Sequence, residues 1–399
     1  MPKFFYRAKN NPNNFVEGLI ESQTKEEAIN KLNKEGYFTL FIKETSFRNP
    51  IFSSKKITSR QRNIFYRQLN NLIGSGINLL DALNSISKQL NNAFFLSILK
   101  DIISNIKNGK SFSESLVSYE DIFGKINIAL IKSGEASGNL AKSLSYISNY
   151  LEKEETLETK LKEAFIYPIF ILVVGFFSLF IIFSFVIPKL TLIFQDLNQA
   201  LPMPTQILIN ISNFIRDYKF IILGLILSTF IFLKNIKNIP KAKLILDKFI
   251  LRLAYCGNML QKIEILRFTQ VMYLLLSSGI NIIKSLELAC GVLDNKVMEE
   301  EFKKIKIQVI QGFSLSSALK EVRFLPDFTI NLINVGEETG SLDESFSNIS
   351  SIIEKELDHS LKMFIKLLEP SIILIMGLIV GFIVVSILLP IFQMNLIVR

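Results

Sequence analysis

Residues 167–188 read YPIFILVVGFFSLFIIFSFVIP, and residues 369–390 read EPSIILIMGLIVGFIVVSILLP. A proline opens and another closes each segment, Pro168 and Pro188 in the first, Pro370 and Pro390 in the second. No charged residue lies between either pair, and a glycine stands at the same place in both, Gly175 and Gly377. About twenty apolar residues rising 1.5 Å each span roughly 30 Å, the thickness of a bilayer's hydrocarbon core. A helix apolar on every side has no face for water, so both segments are expected to cross a membrane.

The likeness of the two segments extends far upstream. LIGSGINLLDAL (72–83) matches LLSSGINIIKSL (275–286), and GKSFSESL (109–116) matches GFSLSSAL (312–319), both at an offset of 203 residues. IKSGEASGNLAKSLSYIS (131–148) matches INVGEETGSLDESFSNIS (333–350) at 202, as do the apolar segments. One deletion therefore relates two copies of a unit made of a helical bundle followed by a span.

A unit that crosses the membrane once leaves its successor on the opposite side. Two bundles in one compartment need a further crossing, which FIILGLILSTFIFL (220–233) supplies, with Tyr218, Lys219 and Lys234 able to snorkel at its ends. Lys and Arg set the orientation: residues 234–252 carry six, residues 189–219 carry three, and the tail after Pro390 carries only Arg399. Both bundles are thus expected in the cytoplasm, with the C-terminus outside.

The expected class is mainly α: a polytopic membrane protein with two homologous cytoplasmic helical bundles, three transmembrane helices and a small N-terminal α+β module. The module occupies 1–45, where FFYRA is strand-like and 19–44 reads strand, helix, strand, with a Thr24–Glu27 capping box, an Ala28, Ile29, Leu32 stripe and a helix end at Gly36. A linker follows at 46–57, the first bundle at 58–166, the first span at 167–188 and an extracytoplasmic loop at 189–217. The second span takes 218–234, the second bundle 235–366, the third span 367–390 and an extracytoplasmic tail 391–399. Thr58 with Gln61 and Ser111 with Glu114 are further capping boxes, and Asn78 caps the helix beginning LLDAL.

A net charge of +9 fits Lys and Arg flanking spans better than nucleic acid, because the basic residues form no aromatic-interleaved patch. Cys256 and Cys290 are too few for a disulfide framework and read as small buried hydrophobes in a reducing compartment. MPKFFYRAKN carries charges where a signal peptide needs an apolar core.

Few motifs point to chemistry. Gly109, Lys110 and Ser111 resemble the end of a phosphate-binding loop, but position 104 is Ser and the stretch follows a helix. His359, the single histidine, sits on a charged helix, and the pairs at Glu154–Glu155 and Glu299–Glu301 read as solvated faces. No catalytic constellation, cofactor site or metal cage is expected. The spans hold no ionisable group between their prolines, which speaks against a transporter pathway. Gly175, Gly377 and Gly381 allow close helix packing or are ordinary span composition. The paired G-E-x-x-G turns, Gly134, Glu135, Gly138 and Gly336, Glu337, Gly340, stand out. Their carboxylates either meet a partner or cation, or cap the next helix at a corner where the glycines take positive φ.

The duplicated bundle and span, the S-G-I-N and G-E-x-x-G turns, the bracketing prolines and the FFYRA to EGYFTLFIKE module resemble the F-type inner-membrane platform proteins of bacterial type II secretion and type IV pilus assembly. The Asn-rich stretch from Asn10 to Asn14 departs from that family's usual pattern. The resemblance implies a non-enzymatic platform in the bacterial inner membrane, between a hexameric cytoplasmic ATPase and pilin or pseudopilin helices in the bilayer. It implies contact with other inner-membrane assembly proteins and with further copies of itself, and no direct nucleic-acid partner. A membrane scaffold or receptor unrelated to pili and a small transporter are the rival readings.

Overall fold

The computed structural model describes residues 3–11, 14–22, 25–34, 38–45, 57–189, 202–235 and 239–397. The Thr24–Glu27 box, Gly36, nearly all of the 46–57 linker, most of the 189–202 stretch and Arg399 lie outside these residues. At the N-terminal end, β1 (Lys3–Asn11) pairs antiparallel with both β2 (Asn14–Glu21) and the later β3 (Phe38–Thr45), giving sheet order β2-β1-β3. Between β2 and β3 runs α1 (Lys25–Lys34), which buries Ala28 and Leu32 and packs on β3.

The first bundle comprises α2 (Ser59–Gly74), α3 (Leu79–Gln89), α4 (Ala93–Lys107), α5 (Phe112–Val117), α6 (Glu120–Phe123) and α7 (Lys125–Ala136). It leads into α8 (Leu140–Ile181), which runs on through a π-helical turn at Ile182–Val186. Next come α9 (Met203–Asn235) and α10 (Pro240–Arg252). The second bundle is α11 (Ala254–Ser277), α12 (Ile282–Cys290), α13 (Lys296–Ile310), α14 (Leu315–Leu319) and α15 (Asp327–Thr339), and α16 (Leu342–Ile397) is the last described element.

Helix starts repeat as the sequence does. Leu79 and Ile282, Ala93 and Lys296, Phe112 and Leu315 are 203 apart, whereas Lys125 and Asp327, Leu140 and Leu342 are 202 apart. The deletion thus falls between α5 and α7. There the first copy forms α6 and turns at Gly124 (φ 85°), and the second reaches Pro326 (φ −65°) without a counterpart of α6.

Local signals explain the boundaries. Thr58 with Gln61 and Ser111 with Glu114 form reciprocal capping boxes, and Asn78, Asn281 and Ser314 accept from Asp81, Lys284 and Ser317 backbone N–H groups. In S-G-I-N, the glycine ends one helix at φ 85° (Gly76) or 76° (Gly279), and the asparagine starts the next. Gly109 takes φ 93° in a turn closed by backbone bonds, as Gly312 does at 94°, so GKS is a helix junction.

A continuous core runs through both bundles. Phe65 stacks edge-on with Phe95 at 5.6 Å in the first, and its counterpart Phe268 does so with Phe302 at 4.5 Å in the second. Among the described residues, two helices are long and apolar enough to cross a membrane, Leu140–Lys189 and Leu342–Pro390. Their outward side chains, Phe170, Val173, Phe177, Leu374 and Leu378 among them, are exposed to an extent that only a lipid or protein surround would satisfy. The expected boundary between loop and second span at 217/218 lies inside α9, which already begins at Met203 because Pro202 accepts the first helical bond from Gln206 N.

Two expectations are corrected. Cys256 is exposed and only Cys290 is buried, where loss of water pushes its thiol up to about 12. Glu299 is not on a solvated face: it is 8% exposed and pairs with Lys296 and Lys303.

Candidate functional site

The two G-E-x-x-G corners are built alike, and each residue has its own task. A Cβ on Gly134 would come within 2.8 Å of Ser143 Cβ, and one on Gly336 within 2.9 Å of Ser345 Cβ. The first glycine therefore lets α7 cross α8, and α15 cross α16, at backbone range. The last glycine, Gly138 (φ 69°) or Gly340 (φ 72°), takes the left-handed conformation that ends the helix. Glu135 accepts from the Phe112 N–H at 2.6 Å and the Ser113 N–H at 3.1 Å; Glu337 accepts from the Leu315 and Ser316 N–H groups, the latter at 2.8 Å. Both carboxylates thus cap a helix that precedes them in the chain, α5 or α14, rather than the one that follows. A short helix leaves its first N–H groups unpartnered, and a carboxylate satisfies two at once while meeting the positive end of the dipole.

Through the apolar segments, α8 and α16 lie side by side and point the same way. Lys160 Nζ meets Asp358 at 2.9 Å, Phe165 packs edge-on with Phe364 at 6.1 Å, and the Tyr167 hydroxyl donates to Glu369 at 3.1 Å. Further along, Gly175 is buried where a Cβ would fall 2.7 Å from Met376 Cε. Pairs that advance together along both helices can only come from parallel packing. Tyr167 and Glu369 occupy equivalent places in the two copies, so the repeats meet in register. Gly377 and Gly381 have open space around them.

The closing prolines create the third contact. Pro188 has no N–H, and in the π turn before it Ile187 N reaches back to Ile182 O, which leaves the Phe183 carbonyl without its helical donor. Ser212 Oγ of α9 donates to that carbonyl at 2.5 Å. In the second copy Pro390 stays within α-helix and frees Ser386 O, to which Thr205 Oγ1 of α9 donates at 2.5 Å. Thr205 and Ser212 are buried, seven positions apart on one face of α9, and Leu208 between them packs with Phe183, Ile187 and Ile383. Pro168 is buried inside α8, and Pro370 lies inside α16. No proline or glycine signal in the chain marks these hydroxyls; the cue is a Ser and a Thr two turns apart on a helix beside freed carbonyls.

Where the bundles meet, a polar cluster escaped sequence reasoning. Arg267 Nη1 donates to Asp294 at 2.6 Å and lies 3.7 Å from Glu264, whose carboxylate is fully buried and accepts from the Asp294 N–H at 2.9 Å. Burial raises the Glu264 carboxyl above the usual range despite Arg267 beside it. Burial likewise raises Glu154 of α8, with Arg62 and Arg267 opposing. Glu154 lines a cleft with Arg62, Tyr150 and Glu287 of about 420 Å³. The Ser133 hydroxyl donates to Ser278 O at 2.6 Å, joining the first corner to the second copy's S-G-I-N turn. Among the described residues no cluster of His, Cys, Asp and Glu could hold a metal ion, and His359 is exposed.

The family model for type II secretion system protein F matches residues 65–188 and again 268–390, the two repeats with their apolar helices. The type IV pilus assembly protein PilC of Thermus thermophilus is 31% identical over 98% of both chains. TapC of Aeromonas hydrophila, a type IV pilus assembly protein, is 31% identical over 83% of this chain and 81% of its own. The type II secretion system protein F of Vibrio cholerae is 24% identical over 99% of both. The chain belongs to the F-type family of type II secretion and type IV pilus assembly.

Proposed function

We propose that this F-family chain is a non-enzymatic inner-membrane platform that couples a cytoplasmic ATPase to assembly of pilins or pseudopilins. The single observation that carries this reading is the family match falling twice on one unit of bundle and apolar helix, in a chain similar over 98% of its length to a relative named for pilus assembly. Two similar bundles on one side offer a multi-subunit motor two similar surfaces. The apolar helices offer the pilin's own helix a surface without ionisable groups between the prolines.

The proposed topology has three spans, with both bundles and the N-terminal module in the cytoplasm. Parallel packing of α8 and α16 supports it, because two spans pointing the same way require a crossing between them. α9 is the candidate: its 33 residues rise about 50 Å, more than a bilayer needs, and its hydroxyls sit on the carbonyls freed by both closing prolines. The G-E-x-x-G corners serve to hold the bundles in shape rather than to bind a cation.

Single cysteines at Lys110, Lys320 and Met203, in a chain with Cys256 and Cys290 replaced, test the topology with an impermeant thiol reagent. Met203→Cys reacts in intact cells, and the other two only after lysis; reaction of Lys320→Cys in intact cells overturns the arrangement. For function, loss of the gene abolishes filament assembly or pseudopilin-dependent secretion, and the full chain co-purifies with the ATPase. A deletion strain that assembles and secretes normally refutes the platform role.

A further inference from the structure

Helix α10 presents a face that nothing among the described residues covers. Lys241, Ile245, Lys248, Phe249 and Arg252 are all exposed, and their spacing places them on one side of the helix. Ile245 is 70% and Phe249 63% exposed, and Leu253 and Tyr255 continue the apolar surface beyond the helix. The opposite side is anchored. Asp247 is buried and accepts from Lys296 N at 2.8 Å, and Leu251 packs against the common core. Asp247 is the only carboxylate between residues 240 and 256, so the outward face carries cations and hydrocarbon without an acid.

The face also sits at a defined level. Tyr255 and Cys256, just past α10, line a cavity of about 220 Å³ with Phe165, Met363 and Leu367. Phe165 and Leu367 stand three residues before Pro168 and Pro370, about 4.5 Å short of the apolar segments. We propose that α10 lies on the cytoplasmic leaflet, with Ile245 and Phe249 among the outer acyl carbons and Lys241, Lys248 and Arg252 on anionic phospholipid headgroups. A protein partner could use such a mixture at any level of the molecule. Here the same mixture lies beside the start of two spans, where an anionic leaflet attracts each nearby cation and an amphipathic helix buries its apolar side. The proposal rests on the reading of α8 and α16 as spans.

The chain contains no tryptophan, so single reporters are clean. Phe249→Trp and Ile245→Trp are placed in the full chain, reconstituted into phosphatidylcholine bilayers with and without phosphatidylglycerol. Quenching is read with lipids brominated near the glycerol end of the acyl chain. Leu374→Trp, inside the third apolar segment, is read with lipids brominated near the chain end. Quenching at 249 and 245 is expected, stronger with phosphatidylglycerol, and adding K241E, K248E and R252E lowers it at least about threefold. Leu374→Trp unquenched by deep bromine would strike the span reading itself. Leu374→Trp quenched while 249 and 245 stay silent, or respond only to added protein or to a second copy, overturns docking of α10 on lipid.

Discussion

The two halves solve the same packing problem with different side chains. At the corners they coincide: Gly134 and Gly336 admit the crossing, Glu135 and Glu337 hold two N–H groups, and Gly138 and Gly340 end the helix. Inside the bundles they diverge, with Phe95 and Leu99 of the first copy answered by Met298 and Phe302 of the second, all buried. The aromatic ring moves one turn along the helix and the apolar volume is kept. At the span ends they diverge again, since Pro188 is preceded by a π turn and Pro390 is not, yet α9 supplies a hydroxyl to the freed carbonyl in each case. At the corners the backbone constraints are therefore repeated residue for residue, whereas core volume is kept only in sum.

The sharpest way to break this comparison is at the crossing glycines. Gly134→Ala and Gly336→Ala each lower stability by about 1–3 kcal/mol, seen as a fall in the melting midpoint of the purified full chain. Equal losses support equivalent corners; a neutral outcome in one half denies the equivalence. Glu135→Ala and Glu337→Ala come next, each costing about 1–2 kcal/mol through the exposed ends of α5 and α14. Gln at either place recovers part of the loss, and the double variant adds the two because the sites do not touch. ATPase binding that falls while the melting midpoint holds would assign the carboxylates to a partner instead.

Smaller effects sharpen the contrast at the membrane end. On the proposed three-span topology, Thr205→Val and Ser212→Ala each cost about 0.6 kcal/mol, the usual worth of a hydrogen bond between membrane helices, and disulfide trapping between α9 and each long helix reports which contact loosens. Ser212→Ala should loosen α9 from α8 alone, and Thr205→Val from α16 alone.

The smallest effect expected is one of pH. Glu264 binds its proton more readily folded than unfolded, so its contribution is complete below the ordinary carboxylate range and is lost as pH rises through the folded value. Burial alone would raise Glu299 too, but hydrogen bonds from Lys296 and Lys303 hold it below the ordinary range. Its contribution is present above that range and lost as pH falls through the folded value. Melting scans from about pH 4 to pH 7 should show Glu264→Gln gaining on the parent as pH rises. Glu299→Gln should fall behind it over the same interval.

Much of this was readable beforehand, and for a physical reason in each case. Caps at Thr58, Asn78 and Ser111 act within three residues, and the repeat offset follows from simple comparison of the chain with itself. Cys256 misled because small apolar residues are usually buried, and nothing near it in the chain reports that α11 starts at an open edge. Glu299 misled because neighbouring acids look like a solvated face until Lys296 and Lys303 close over one of them.

By itself the sequence determined the apolar helices, the duplication, the turn glycines and the prolines, because these depend on composition or on contacts a few residues apart. Tertiary structure decided which helix each glutamate caps, some twenty residues back along the chain. It likewise decided that Tyr167 meets Glu369, that Glu264 is buried beside Arg267, and that Ser212 and Thr205 reach the carbonyls Pro188 and Pro390 leave open. A freed carbonyl or an uncapped helix end states that a donor or acceptor is required, but only packing brings a particular side chain to it.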